Sequence, residues 1–236
     1  MREAERQALI LLVDDDPEFR LNILPEALSR LDARTLAASD VLSACLIVAE
    51  HHAFSSDPLD LIVLDMNIPL HSGTSSTAIA GGINFLRSYE LIRCPVVVFT
   101  AYPSFQNCVR SVQAGAQAYL PKMSQDSSEG REGGVDHLVE TCRRLLTPVE
   151  WTEEDRPTDG GFFAREYEWL RQRFVGRWVA LVPEAEARVA GLTGAEHEGF
   201  VVIDTESRDD LARRLTEKLA FLGKIPHLAF VLQKGE

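Results

Sequence analysis

The first 147 residues alternate between short apolar runs and segments whose apolar residues recur at helical spacing. Leu9 to Val13 is a continuous apolar run of strand length, the pattern of a strand buried on both faces. Pro17 stands at a helix-start position, and Phe19, Ile23, Leu24, Leu28 and Leu31 then follow at helical intervals. The same alternation predicts a second strand over Arg34 to Ala38 and a helix over Val41 to Glu50. A third strand is predicted over Leu59 to Leu64, with a helix whose core is Ile83 to Tyr89. A fourth strand over Pro95 to Phe99 precedes a helix from Ser104 to Ala114. The series ends with a short strand at Ala118 to Leu120 and a helix over Val135 to Leu146. Strand and helix in strict succession imply an α/β fold, a doubly wound parallel sheet with helices on both faces. Two polar, glycine-rich stretches interrupt the pattern, Leu70 to Gly82 and Ser124 to Gly134, and both read as mobile loops.

Beyond Thr147 the pattern changes. Residues 148–161 hold two prolines, an acidic cluster and a closing Gly160-Gly161, as expected of a linker between a first domain over 1–147 and a second over 162–236. The second segment predicts a helix over Phe163 to Phe174 and strands at Trp178 to Val182, Arg188 to Ala190 and Phe200 to Ile203. An amphipathic helix over Ser207 to Leu222, opened by Ser207-Arg208-Asp209-Asp210, and a last strand over His227 to Leu232 complete a small α+β domain.

Charge narrows the function classes. Of 236 residues, 36 are acidic and 24 basic, a formal net charge of −12, which argues against a chain whose main task is gripping nucleic-acid phosphates. No apolar run approaches the roughly 20 residues of a membrane span, and Met1 to Arg6 lacks a signal-peptide core, so a cytoplasmic protein is expected. Cys45, Cys94, Cys108 and Cys142 have no metal-ligand spacing and read as reduced thiols.

The candidate chemistry lies at the carboxyl ends of predicted strands. Asp14, Asp15 and Asp16 follow the first strand, Asp65 the third, Thr100 the fourth and Lys122 the fifth. Open α/β sheets bind ligands beyond that edge. On its own an acidic run is more often a solvated turn or a helix cap. Together with a hydroxyl and an amine, clustered carboxylates suit a hard divalent cation such as Mg²⁺ and a phosphoryl group. A carboxylate can itself accept phosphate, a reaction that needs mainly positioning and charge neutralisation.

Four segments carry a resemblance: Val13-Asp14-Asp15-Asp16-Pro17, Leu64-Asp65-Met66-Asn67-Ile68-Pro69, Phe99-Thr100-Ala101 and Gly115-Ala116-Gln117-Ala118-Tyr119-Leu120-Pro121-Lys122. They resemble the receiver domains of two-component signalling, over roughly residues 7–147. The resemblance implies a flavodoxin-like sheet in the order 2-1-3-4-5, with Asp65 as phosphoacceptor and Mg²⁺ held by Asp14, Asp15, Asp65 and the Asn67 carbonyl. It further implies that Thr100, Lys122 and the backbone of Asn67 and Ala101 meet the phosphoryl group, and that Tyr119 turns inward when Thr100 moves. Met123 stands where many relatives carry proline, so no cis bond is expected there. The implied donor is a histidine kinase or phosphotransfer protein. The face of the fourth helix, fifth strand and fifth helix is the implied surface for pairing of two copies.

Other signals read as structure. His51, His52 and His71 fit helix capping better than metal binding, and the Ser72 to Thr77 stretch fits a solvated loop. Gly176-Arg177-Trp178-Val179-Ala180-Leu181 resembles a small bacterial and archaeal domain of unknown function, over roughly 163–233. That segment shows no catalytic or metal-ligand pattern, so a binding module, not an enzyme, is expected. From residue 151 on it holds 12 basic and 16 acidic residues, so Arg213 and Arg214 read as a solvated face, not a recognition helix. The sequence therefore points to a response regulator that signals to a protein target. The alternative is a transcription factor with an atypical DNA-binding output domain.

Overall fold

The computed structural model describes residues 6–51, 56–72, 80–87, 94–123, 130–147, 175–181, 201–222 and 227–230. They fall into two compact units, one carrying a five-stranded sheet and the other a three-stranded sheet.

The first sheet is parallel throughout, in the order β2-β1-β3-β4-β5, as the resemblance implied. Its strands are β1 (Ala8–Val13), β2 (Ala33–Ala38), β3 (Leu61–Leu64), β4 (Val96–Thr100) and β5 (Ala118–Pro121). Each predicted strand is present, with ends displaced by no more than two residues. β1, β3 and β4 are buried along nearly their whole length, because helices cover both faces of the sheet. Alternation splits their side chains. Ile10, Leu12, Leu61, Val63, Val97, Phe99 and Leu120 join one core cluster with the first and last helices of the unit.

The first helix, α1, is compound: Phe19–Ile23 is a π-helical turn, Leu24–Leu28 is α-helical and Ser29–Leu31 closes as a 3-10 turn. Asp32 ends it in the left-handed region at φ 51°. α2 (Val41–Glu50) has its predicted bounds, and Asp40 caps it by accepting the Ser43 N–H at 2.8 Å. The first two amides of α2 donate elsewhere, Val41 to the Pro69 carbonyl and Leu42 to the Leu70 carbonyl, each at 3.0 Å. α4 (Phe105–Gln113) is capped by Ser104, whose hydroxyl accepts the Asn107 N–H at 3.1 Å. Gly115, at φ 102°, carries the chain from α4 toward β5 in a conformation that other residues rarely adopt.

Two expected loops are shorter than the sequence suggested. α3 (Ala80–Arg87) begins inside the first and α5 (Gly130–Leu146) inside the second. The glycines that read as loop punctuation are helical, and they serve close approach. A Cβ on Gly81 would lie 1.9 Å from the Ile68 carbonyl oxygen, and one on Gly82 2.8 Å from the Met66 Cα. On Gly134 it would lie 2.5 Å from the Lys122 carbonyl oxygen. These glycines let α3 and α5 pack directly on the segments that follow β3 and β5. Residues 73–79 and 124–129 of the same stretches lie outside the described residues. All described peptide bonds are trans, including the one after Lys122.

The second unit pairs β6 (Trp178–Leu181) in the middle of an antiparallel sheet with β7 (Val201–Thr205) and β8 (His227–Phe230). Trp178, Val179 and Ala180 are buried, as are Leu211 and Leu215 of α6 (Arg208–Leu222). The Ser207 hydroxyl accepts the Asp210 N–H at 3.3 Å, the capping role read from Ser207-Arg208-Asp209-Asp210. The helix over 163–174, the strand over 188–190 and the linker over 148–161 lie outside the described residues. Among the described residues no helix is long and apolar enough to cross a membrane. None of the four cysteines is in a disulfide, and burial pushes the thiols of Cys94 and Cys142 up to about 12.

Candidate functional site

The ladder hydrogen bonds of the sheet place the candidate residues at one edge. The Asp14 N–H donates to Ala38 at 3.1 Å and the Asp65 N–H to Val13 at 2.8 Å, so both acids emerge where β1 and β3 end. The Lys122 N–H donates to the Thr100 carbonyl at 2.8 Å, which fixes the end of β5 against the end of β4.

The side chains converge. Lys122 Nζ lies 2.7 Å from Asp14 Oδ2 and 2.7 Å from Asp65 Oδ2, and the three residues are only 3%, 2% and 5% exposed. Asp15 is exposed, and one oxygen from each of Asp14, Asp15 and Asp65 falls within a 4.8 Å cluster. The remaining carboxylate oxygens are held by the backbone. Asp14 Oδ1 accepts the Asp16 N–H at 3.0 Å and Asp65 Oδ1 the Asn67 N–H at 3.2 Å. Asp16 itself accepts the Glu18 N–H at 2.8 Å, so the third acid of the run is a helix cap.

Burial dominates the electrostatics. It pushes the Asp14 carboxyl up to about 6, although the Lys122 ammonium pulls the other way. Asp15 is raised by partial desolvation and by the charge of Asp65. For Lys122 burial works downward, but Asp65 and Asp14 outweigh it and hold the ammonium above the ordinary lysine range. Three carboxylates against one ammonium leave an excess of negative charge, and hard oxygen donors in that state fit a divalent cation. The fit rests on this donor set and on the spacing of the three oxygens.

Thr100 is buried, and its hydroxyl oxygen accepts the Tyr102 N–H at 3.3 Å. Tyr119 is half-buried, and its hydroxyl oxygen accepts the N–H of Ser104, the cap of α4, at 3.2 Å. Burial raises its phenol above the ordinary tyrosine range. A second route joins the site to α4. Met66 follows Asp65 and is buried, and its sulfur lies 3.4 Å from the hydroxyl of Ser111, the one buried residue of that helix. The outer side of α4 carries Phe105, Val109 and Val112, all exposed, beside exposed Tyr102.

The structure thus brings Asp14, Asp65 and Lys122 into direct contact with Asp15 beside them, puts Thr100 at the end of β4, and places Tyr119 within β5 with its hydroxyl at the cap of α4. Sequence reasoning missed Phe19, whose ring centroid lies 4.6 Å from Lys122 Nζ, and the contacts of Ser104 and Ser111. The sequence signal for Phe19 was its place in the helical apolar series after Pro17, which marks a core residue and not a neighbour of Lys122.

Comparison with known proteins agrees with the geometry. The response regulator receiver domain matches residues 10–129. The chain is similar to the transcriptional regulatory protein CpxR of Klebsiella pneumoniae, 30% identical over 217 residues, which cover 88% of this chain and 81% of that protein. The CpxR of Escherichia coli is 30% identical over 64% of this chain, but the match spans only 55% of the relative. The transcriptional regulatory protein KdpE of Mycobacterium tuberculosis is 31% identical over 48% of this chain and 44% of its own length. Among solved structures the phosphorylated cyanobacterial phytochrome response regulator RcpA is similar at 20% identity and TM-score 0.48, covering 61% of this chain and 97% of that one. A parallel sheet in this order, an acidic edge with a buried lysine, and a family match over half the chain lead to one statement: the chain belongs to the response regulator receiver domain family.

Proposed function

We propose that the chain is a phosphorylation-dependent response regulator whose Asp65 accepts a phosphoryl group from a histidine kinase or phosphotransfer protein. The observation that carries this reading is the buried contact of Lys122 with Asp65, beside two further carboxylates. Asp14, Asp15, Asp65 and the Asn67 carbonyl would hold Mg²⁺, which when bound neutralises charge on the phosphoryl oxygens. Asp65 attacks phosphorus through a carboxylate oxygen, the bond from phosphorus to the donor's histidine nitrogen breaks, and the imidazole leaves with the electron pair. Lys122, Thr100 and the Asn67 and Ala101 amides meet the transferred oxygens, with no proton transfer required of them. The chain acts as a phosphate acceptor and signal carrier in the cytoplasm, not as an enzyme for another substrate.

Output follows from the contacts that join the site to α4. A phosphoryl group on Asp65 draws Thr100 and Lys122 toward it. Tyr119 of β5 lies on the cap of α4 and Met66, just after β3, lies against Ser111, so two of the segments that bear on the site also hold α4. A local change of charge thus biases a helix whose exposed apolar side chains can meet another surface, a second copy or a protein target. To test the acceptor, the protein is incubated with acetyl phosphate and Mg²⁺, with and without Asp65→Asn. Acyl-phosphate labelling confined to the unmutated chain is expected, and equal labelling of both would refute the assignment.

A second reading of the output has its own support. The Klebsiella relative is a transcriptional regulatory protein, and its match extends past the receiver domain. The acidic balance beyond residue 151 favours a protein target instead. The two readings separate on binding of the full chain, with and without beryllofluoride, to a pool of random duplexes at physiological salt. Enrichment of one sequence would establish DNA as the target.

A further inference from the structure

We propose that Phe19 is a positioning residue for Lys122: the face of its ring holds the ammonium where it reaches Asp14 and Asp65 together. The proposal rests on the reading of Lys122 as the cation that meets the phosphoryl group, and it names what keeps that cation in place.

Three observations converge. Lys122 Nζ lies 4.6 Å from the Phe19 ring centroid while standing 2.7 Å from each of two carboxylate oxygens. Two carboxylates and a ring face thus surround one ammonium. The ring quadrupole attracts a cation at this range, most strongly where water is excluded, and both residues are buried. The ring is itself held. Phe99 meets it edge-on, with centroids 6.4 Å apart and planes at 68°. Phe99 precedes Thr100, whose carbonyl accepts the Lys122 N–H, so ring and lysine share one support. Finally, Phe19 opens the π-helical turn of α1, and wide turns of this kind often occur at functional sites. Its neighbour Arg20 donates to the Asp14 carbonyl, which ties the turn back to the end of β1.

The need for such a residue comes from the reaction. When acetyl phosphate is the donor, an Asp65 carboxylate oxygen bonds to phosphorus, the bond from phosphorus to the acetyl oxygen breaks, and acetate leaves with the electron pair. One of the two anions that hold Lys122 is thereby converted to an ester-like oxygen, and new charge appears on the phosphoryl oxygens. The ring face is a partner that does not change during this exchange. It keeps the ammonium charged, dry and in reach throughout. A leucine would fill similar space without the quadrupole.

The test replaces Phe19 in the full chain by leucine, and by mono-, tri- and pentafluorophenylalanine, which keep the ring while draining its face. Three quantities are measured: the initial rate of labelling by acetyl phosphate in excess Mg²⁺, the melting temperature, and the NMR positions of the Lys122 ε-methylene protons without phosphodonor. Labelling is expected to slow stepwise with fluorine number, by about tenfold in total, at nearly unchanged melting temperature. The ε-methylene protons should sit upfield in the unmodified protein and return to ordinary positions in Phe19→Leu. A purely space-filling role predicts one rate across the fluorinated series, and that result would overturn the proposal. If the unmodified chain is never labelled at Asp65, the acceptor reading itself fails. The ε-methylene positions then decide: upfield and moved by fluorination sustains the hold on Lys122, and ordinary values end it.

Discussion

At the carboxyl edge of the five-stranded sheet Asp14, Asp65 and Lys122 are almost wholly removed from water, whereas on nearby α4 Phe105 is 86% exposed. The residue that α4 hides is a serine, Ser111, and Val109 and Val112 also face solvent. Ordinary partition would place the charges outside and the apolar side chains inside. The strands obey that rule, and they would look the same in many parallel sheets. The pocket and α4 break it in opposite directions, and the breaks cost stability that only a function recovers. In the pocket the cost is desolvation, offset by pairing. On α4 it is apolar area left in water, together with weak anchoring.

The largest effect is expected from breaking the pairing. Lys122→Met removes the cation that bridges Asp14 and Asp65 and leaves the two carboxylates facing each other out of water. Such a loss typically costs about 3–5 kcal/mol, and urea unfolding without divalent ions would measure it. An unchanged midpoint would mean that the pocket is wetter than its burial implies.

The next effect is a pH dependence. The Asp14 carboxyl is raised from 3.8 to about 6. The folded chain therefore holds that proton more tightly than the unfolded chain does. Its contribution favours folding at low pH and is lost as pH rises between about 4 and 6, by up to about 3 kcal/mol. Asp14→Asn should abolish that slope and raise stability at neutral pH. Because the same proton must leave before a metal binds, Mg²⁺ affinity should weaken as pH falls through about 6. Denaturation and Mg²⁺ titrations across this range check both signs.

The smallest effect on stability belongs to α4. Phe105→Glu should shift stability by no more than about 0.5 kcal/mol, as for other surface changes, yet it should alter association. Sedimentation of the beryllofluoride-treated protein is expected to show more self-association for the unmodified chain than for the variant. Equal sedimentation would remove Phe105 from any interface between copies.

Much of this was legible in the sequence, for definite reasons. Strands such as Leu61–Leu64 are short, continuous apolar runs, and reacting groups that follow such runs must lie at one edge of a parallel sheet. α2 was legible to the residue because Asp40 and Ser43 make a local cap. The starts of α3 and α5 were hidden because glycine reads as a loop. Gly82 and Gly134 in fact sit in helices that touch the backbone of Met66 and Lys122, a tertiary cause with no local trace. Phe19 was legible as a core residue, and its ring does pack on Phe99. Its place over Lys122 depends on a π turn that spacing does not reveal. The inward face of α4 was illegible for a related reason: its apolar residues point away from the sheet.

The amides of Val41 and Leu42 donate to the carbonyls of Pro69 and Leu70, a few residues beyond Asp65. These two N–H groups therefore form a native spectroscopic reporter. Their resonances and exchange rates depend on where the loop after the phosphoacceptor lies, although neither residue belongs to the acidic pocket. An isotope label at position 41 or 42 would read the state of Asp65 in the unmodified chain, with no dye, tag or substitution near the reacting atoms.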